Sequence, residues 1–122
     1  MFKALLYERP SDWMKHLTHV YHNCTTDEFW YIDGKLSALE RLKAGVTTGV
    51  SVIGSVPRSD TSIPGCNHAR GYAEVGTREI VCTGPANPPW PREFSRYDGE
   101  NWRTIPVSFE QALEGMEGVI QS

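Results

Sequence analysis

The sequence predicts an α+β fold with a mainly antiparallel sheet, two helices packed on it and a C-terminal helix. Three observations lead there. The tract VTTGVSVIGSV (46–56) alternates apolar and small polar residues with period two. The second half of the chain sets glycine-centred turn signals between short β-branched and aromatic runs. Helical periodicity is confined to stretches that open on cap residues, at Ser11, Ser37 and Ser108. The order reads strand, helix, strand, helix, strand, then hairpins, then helix.

FKALLYE (2–8) reads as the first strand. Ser11 then caps a helix running to about Asn23, with Trp13, Leu17, Val20 and Cys24 on one face. EFWYID (28–33) is dense in aromatics and reads as a strand, and Asp33-Gly34 as the turn out of it. Ser37 with Glu40 forms a capping box for a short helix closed by Gly45. In the central strand Val46, Thr48, Val50, Val52 and Val56 face one way, with Thr47, Ser51 and Ser55 on the other. Its glycines, Gly49 and Gly54, mark either a bulge or the close approach of another group.

Residues 57–68, PRSDTSIPGCNH, read as a loop. GYAEV and REIVC flank Gly76-Thr77 as a hairpin, and the prolines of GPANPPWPR (84–92) stiffen a presented loop. REFSRY and ENWRTI form a second hairpin across Asp98-Gly99. Ser108 and Gln111 make another capping box, with Phe109, Leu113, Met116 and Ile120 striping the helix behind it.

A length of 122 residues fits a single domain, 1–122, and 39% hydrophobic with 22% charged residues is ordinary globular composition. A net charge of -3 argues against extended nucleic acid or a membrane surface as partner. No stretch is long and apolar enough to span a bilayer, and the short opening apolar run is interrupted by Glu8, Arg9 and Pro10. Three cysteines, an odd number, favour reduced thiols and a cytoplasmic location over a disulfide frame.

The cysteines and histidines form two clusters: His16, His19, His22 and Cys24, then Cys66, His68 and Cys82. The histidines of the first spiral around their helix and do not converge. The second could supply three zinc ligands, or Cys66 with His68 could form a nucleophile and base, but no CxxC knuckle or oxyanion loop accompanies them. Neither a metal nor another cofactor is expected. No P-loop, GxGxxG, HExxH or GxSxG pattern occurs.

After Lys43 every positive side chain is an arginine, at Arg58, Arg70, Arg78, Arg92, Arg96 and Arg103, interleaved with Tyr72, Trp90, Phe94, Tyr97 and Trp102. Guanidinium forks bind phosphate bidentately and stack on rings, so this mixture suits a phosphorylated, ring-bearing small molecule. Arg58 with Ser59 and Arg103 are the candidate phosphate ligands. Trp90, Tyr97 and Asn87 are the candidates for stacking on a base and reading its edge.

The layout of strand, long helix, aromatic strand, capped helix, β-rich remainder and C-terminal helix, centred on EFWYIDGKLSALERLKAG, resembles the phage Thoeris anti-defence sponge proteins of the first type. That resemblance implies a non-enzymatic homo-oligomer in the host cytoplasm. Such a protein sequesters a cyclic ADP-ribose-type signal or a cyclic nucleotide and so counteracts a host immune pathway. Two alternatives stay open: a protein-binding inhibitor acting through the aromatic and arginine hairpins, and a small Cys/His enzyme, with or without zinc.

Overall fold

In the computed structural model, which describes residues 10–52, 60–84 and 89–122, four helices and four strands follow one another. They are α1 (Pro10–Asn23), α2 (Asp27–Lys43), β1 (Thr48–Val52), α3 (Ile63–Val75), β2 (Arg78–Cys82), β3 (Arg92–Tyr97), β4 (Trp102–Val107) and α4 (Phe109–Gln121). The fold is α+β. The strands form two separate pairs: β1 with β2 in parallel, from Thr48↔Arg78 to Val52↔Cys82, and β3 with β4 antiparallel, from Arg92↔Val107 to Tyr97↔Trp102. The expected predominance of antiparallel pairing is thus shared with a parallel pair, because α3 serves as a crossover. The strand expected at 2–8 lies outside the described residues, as do 53–59 and 85–88.

The largest departure from the sequence reading is α2. EFWYID is not a strand, Asp33-Gly34 is not a turn and Ser37 is not a cap; one helix runs through all of them. Its start is set earlier, at Thr26, whose hydroxyl accepts a hydrogen bond from Phe29 N at 3.3 Å. Asp27 and Glu28 then complement the helix dipole at the first turn, as Arg41 and Lys43 do at the last. Trp30, Gly34 and Ala38, spaced by four, are the buried residues. Aromatic density favours a strand only weakly, and here the caps and a face to pack against decide the outcome.

Gly34 is a contact. A Cβ built there would sit 2.5 Å from the His68 carbonyl oxygen, and one at Gly71 would sit 2.5 Å from the Tyr31 carbonyl oxygen. Helices α2 and α3 therefore cross with backbone against backbone. The stretch 63–75, expected as loop and strand, is helical: Pro64 suits its first turn and Gly76, at φ 87°, ends it in the left-handed region. Gly76-Thr77 is consequently a helix-to-strand connection, and the expected hairpin is absent.

Strand β1 alternates as expected, but with the opposite face inward. Gly49 and Ser51 are the half-buried positions, while Val50 and Val52 are exposed. The helices cover only one side of this strand pair, and what they cover is polar, as described below.

The second hairpin and the C-terminal capping box form where expected. Asp98 Oδ1 accepts from Glu100 N at 3.0 Å and Asn101 N at 2.9 Å, making a turn of four residues with Gly99 at φ 103°. Ser108 Oγ accepts from Gln111 N at 3.3 Å, and Ser108 N donates to Gln111 Oε1 at 2.8 Å. Phe94, Val107 and Ala112 form a buried cluster against which Trp90 packs. Of the expected α4 stripe, Phe109 and Ile120 are exposed, and Ala112 is the buried position. Arg96 ties this hairpin to the rest, with ion pairs to Asp27 at 2.9 Å and Asp60 at 3.2 Å.

Gly34→Ala tests the crossing. Alanine favours an exposed helix interior by about 1 kcal/mol over glycine, yet here the variant is expected to be less stable than wild type by about 2 kcal/mol or more. Urea denaturation checks the sign, and Gly71→Ala should behave alike.

Candidate functional site

The crossing of α2 and α3 places two helical rows beside the half-buried face of β1. Trp30, Asp33, Ser37 and Arg41 recur every three or four residues on α2, and His68 and Tyr72 are one turn apart on α3. Trp13 and Leu17, also one turn apart, close the opposite wall from α1, and Ser51 contributes from β1. They line an open cavity of about 400 Å³.

Its floor is a connected polar network. Arg41 Nη1 donates to both oxygens of Glu79, at 2.7 and 2.6 Å, and the guanidinium lies 5.2 Å from the Tyr72 ring centroid. A side chain at Gly49 would occupy the place of that guanidinium, which settles the glycine as a close approach. Ser51 Oγ donates to Glu79 Oε1 at 2.6 Å, with the Tyr72 hydroxyl 3.4 Å away. His68 Nε2 stands 3.3 Å from Ser51 Oγ, and His68 Nδ1 stands 3.8 Å from Asp33 Oδ2.

A serine hydroxyl carries one proton, and the short contact to the Glu79 carboxylate takes it. The direction of the contact between His68 Nε2 and Ser51 Oγ is set by the imidazole tautomer. Burial pushes the His68 pKa down to about 4, offset only in part by the Glu79 carboxylate and a backbone hydrogen bond at Trp30, so the ring is neutral at pH 7. Burial also raises the Asp33 carboxyl, with Glu40 adding to it, and raises the Tyr21 phenol, helped by the Asp33 charge. Among the described residues, the buried side-chain atoms with no partner at hydrogen-bond distance are Trp13 Nε1, Trp30 Nε1 and His68 Nδ1, and none of the three has appreciable accessible surface. All three side chains line this cavity.

Of the residues singled out from sequence, Arg58, Ser59 and Asn87 lie outside the described residues. Trp90 packs on the buried Phe94 cluster and on Phe109, with ring centroids 5.9 Å apart. Tyr97 stacks on Trp102 at 5.4 Å, and its hydroxyl donates to Gly99 O. Arg103 pairs with Asp98 at 2.7 Å and is largely exposed. None of these three lines the cavity. Cys66 and His68, two apart on a helix, diverge: Cys66 Sγ donates to Ser122 Oγ at 3.3 Å, whereas His68 turns to Ser51. Among the described residues no cluster of three or more candidate metal ligands occurs, and all three cysteines are free thiols.

Sequence reasoning missed Trp13, Trp30, Asp33, Arg41, Ser51 and Glu79 as a group. The usable signal was the spacing Trp30, Asp33, Ser37, Arg41 beside His68-x₃-Tyr72, visible only once both stretches are read as helices. No family model matches the chain, and neither a curated protein nor a solved structure matches it.

The buried neutral histidine sets a pH dependence. The unfolded chain takes up a proton at this position near pH 6.5 and the folded chain only near 4, so between these values the unfolded state binds more protons. Stability contributed by His68 is intact above pH 6.5 and lost as pH falls toward 4, by roughly 3 kcal/mol. His68→Gln should flatten this part of the stability profile, measured by urea unfolding at pH 4.5, 5.5 and 7.

Proposed function

We propose that the protein binds a nucleotide-derived small molecule by taking its base into the cavity between α1, α2, α3 and β1, and holds it without converting it. The observation that carries this reading is one cavity of about 400 Å³ lined by the rings of Trp13, Tyr21, Trp30, His68 and Tyr72. Two indoles, a tyrosine and an imidazole give the flat surfaces a heterocycle stacks on, and about 400 Å³ falls within the ~300–1,000 Å³ usual for small-molecule sites.

The charges decide how much of such a ligand enters. Among the described residues that line the cavity the cation is Arg41, which is already matched by Glu79, and Asp33 adds a second carboxylate. The base belongs inside and the phosphates outside. Turnover has little support in the geometry. Ser51, His68 and Asp33 are in serine-hydrolase order, but the serine proton is committed to Glu79, and the Asp33 oxygen is too far from Nδ1 to orient the ring. A base held near pKa 4 is also poorly matched to proton abstraction at neutral pH. Sequestration of a cyclic ADP-ribose-type or cyclic nucleotide signal, the role implied by the sponge-protein resemblance, is the biological form of this proposal.

A second reading rests on the stacked pair Tyr97 and Trp102, both exposed beside Arg103 at the tip of the β3–β4 hairpin. These are residue types that anchor protein interfaces, and they serve the inhibitor alternative.

Thermal unfolding with nucleosides and nucleotides separates the two. A ligand at a hundred times its Kd is expected to add about 2.7 kcal/mol of stability. Trp13→Ala, which removes one aromatic wall of the cavity, should weaken binding about tenfold by calorimetry. Trp102→Ala should leave it unchanged. If no nucleotide stabilises the protein while Trp102→Ala abolishes capture of a protein partner, the hairpin reading replaces this one.

A further inference from the structure

Resting on the base-binding reading, we infer that the cavity prefers a positively charged base, one whose ring nitrogen is quaternised as in an N-ribosyl pyridinium, to a neutral base, with Asp33 as its counter-charge. The carboxylate is open to the cavity. The Asp33 side chain keeps 15% of its surface exposed, and among the described residues no donor reaches it at hydrogen-bond distance. His68 Nδ1, on a neutral ring, stands 3.8 Å away. Burial raises the Asp33 carboxyl, the chain's α-amino charge lowers it in part and Glu40 adds to the rise, so a cation brought alongside favours its ionised form. Arg41 does not serve: it is eight residues further along α2, roughly 12 Å of helix, and its Nη1 is spent on both oxygens of Glu79.

Rings accompany that carboxylate. Tyr21 lies in its field, since the Asp33 charge helps raise the phenol, and the Tyr21 ring centroid is 5.3 Å from that of Trp30, one turn before Asp33 on α2. Of the aromatic residues lining the cavity, Trp13 and Tyr21 are partly exposed, whereas Trp30 and Tyr72 are buried, so the first two present the surfaces a ligand reaches. The face of an aromatic ring is negative, and a flat cation gains from stacking and from the carboxylate together, the more so away from bulk water. A neutral base offers Asp33 an N–H at most. An aliphatic ammonium has the charge without the flat face.

Calorimetric titration of the full chain with nicotinamide riboside and its reduced, dihydro form tests this, because reduction removes the ring's charge and leaves the sugar and amide as they are. The oxidised riboside is expected to bind at least tenfold more tightly than the reduced one and than adenosine, guanosine, cytidine or uridine. Nicotinamide methylated on the ring nitrogen should likewise bind more tightly than nicotinamide methylated on the amide nitrogen, which has the same heavy atoms and no charge. Asp33→Asn, which keeps the shape and removes the charge, should lower the ratio of oxidised to reduced affinity about tenfold; the ligand comparisons themselves need no variant to fold. The reduced riboside or a neutral nucleoside binding as tightly as the oxidised riboside overturns the charge assignment and leaves base binding standing. Choline matching the oxidised riboside, or no binding by any riboside, charged or neutral, overturns both.

Discussion

Contact between the backbones of α2 and α3 at Gly34 and Gly71 is the constraint on which the rest of the structure depends. Each glycine lies where any side chain would strike the other helix's backbone or a neighbouring turn, so the two axes approach more closely than larger side chains allow. That approach carries Asp33 to His68 and aligns Tyr72 beneath Arg41. It also fixes the crossover between β1 and β2, since α3 must leave β1 and return to β2 on the covered side of the pair. A wider crossing would separate the groups that give the cavity its chemistry.

The buried face of the parallel pair is polar, contrary to the usual arrangement in which such strands are covered by apolar residues. Glu79 is almost fully buried and answers both Arg41 and Ser51. A pair of this kind adds little net stability, because desolvation offsets most of the attraction, but removing one partner strands a buried charge. Its consequence is geometric. By taking the Ser51 proton and the Arg41 fork together, Glu79 fastens β1, β2 and α2 at one point.

Where local chemistry settled an element, the sequence was legible. Ser108 and Gln111 satisfy each other's backbone regardless of what packs nearby, and Asp98 folds its turn by accepting from two following N–H groups. The reading failed where a residue's role is set by a partner distant in sequence. Gly34 has the propensity of a breaker, and only the approach of α3 makes it the residue a helix needs. Ser51 is one small polar residue among several in an alternating tract, and its face became the inner one because Arg41 and Glu79 converge beneath it. His68 was read with Cys66, its neighbour in sequence, whereas helical geometry turns it toward Ser51 instead. The β-to-α correction over 28–33 and 63–75 was therefore also what brought the site into view.

The arginines after Lys43 acquire a different meaning from the one their composition suggested. Arg96 bridges Asp27 and Asp60, Arg103 pairs with Asp98, Arg70 lies 4.4 Å from the Tyr31 ring centroid and Arg92 lies 5.8 Å from that of Trp90. In each case the guanidinium is used within the chain, as a fork between carboxylates or a plate over a ring. A lysine ammonium would serve these positions less well, being a mobile point charge with no flat face and no fixed pair of donors. Arg96 matters most, because it holds the nearly buried Asp60 and, through Asp27, the start of α2 to the hairpin. These four arginines thus act within the chain. The cavity's own arginine, Arg41, comes from before the tract and is likewise spoken for, by Glu79.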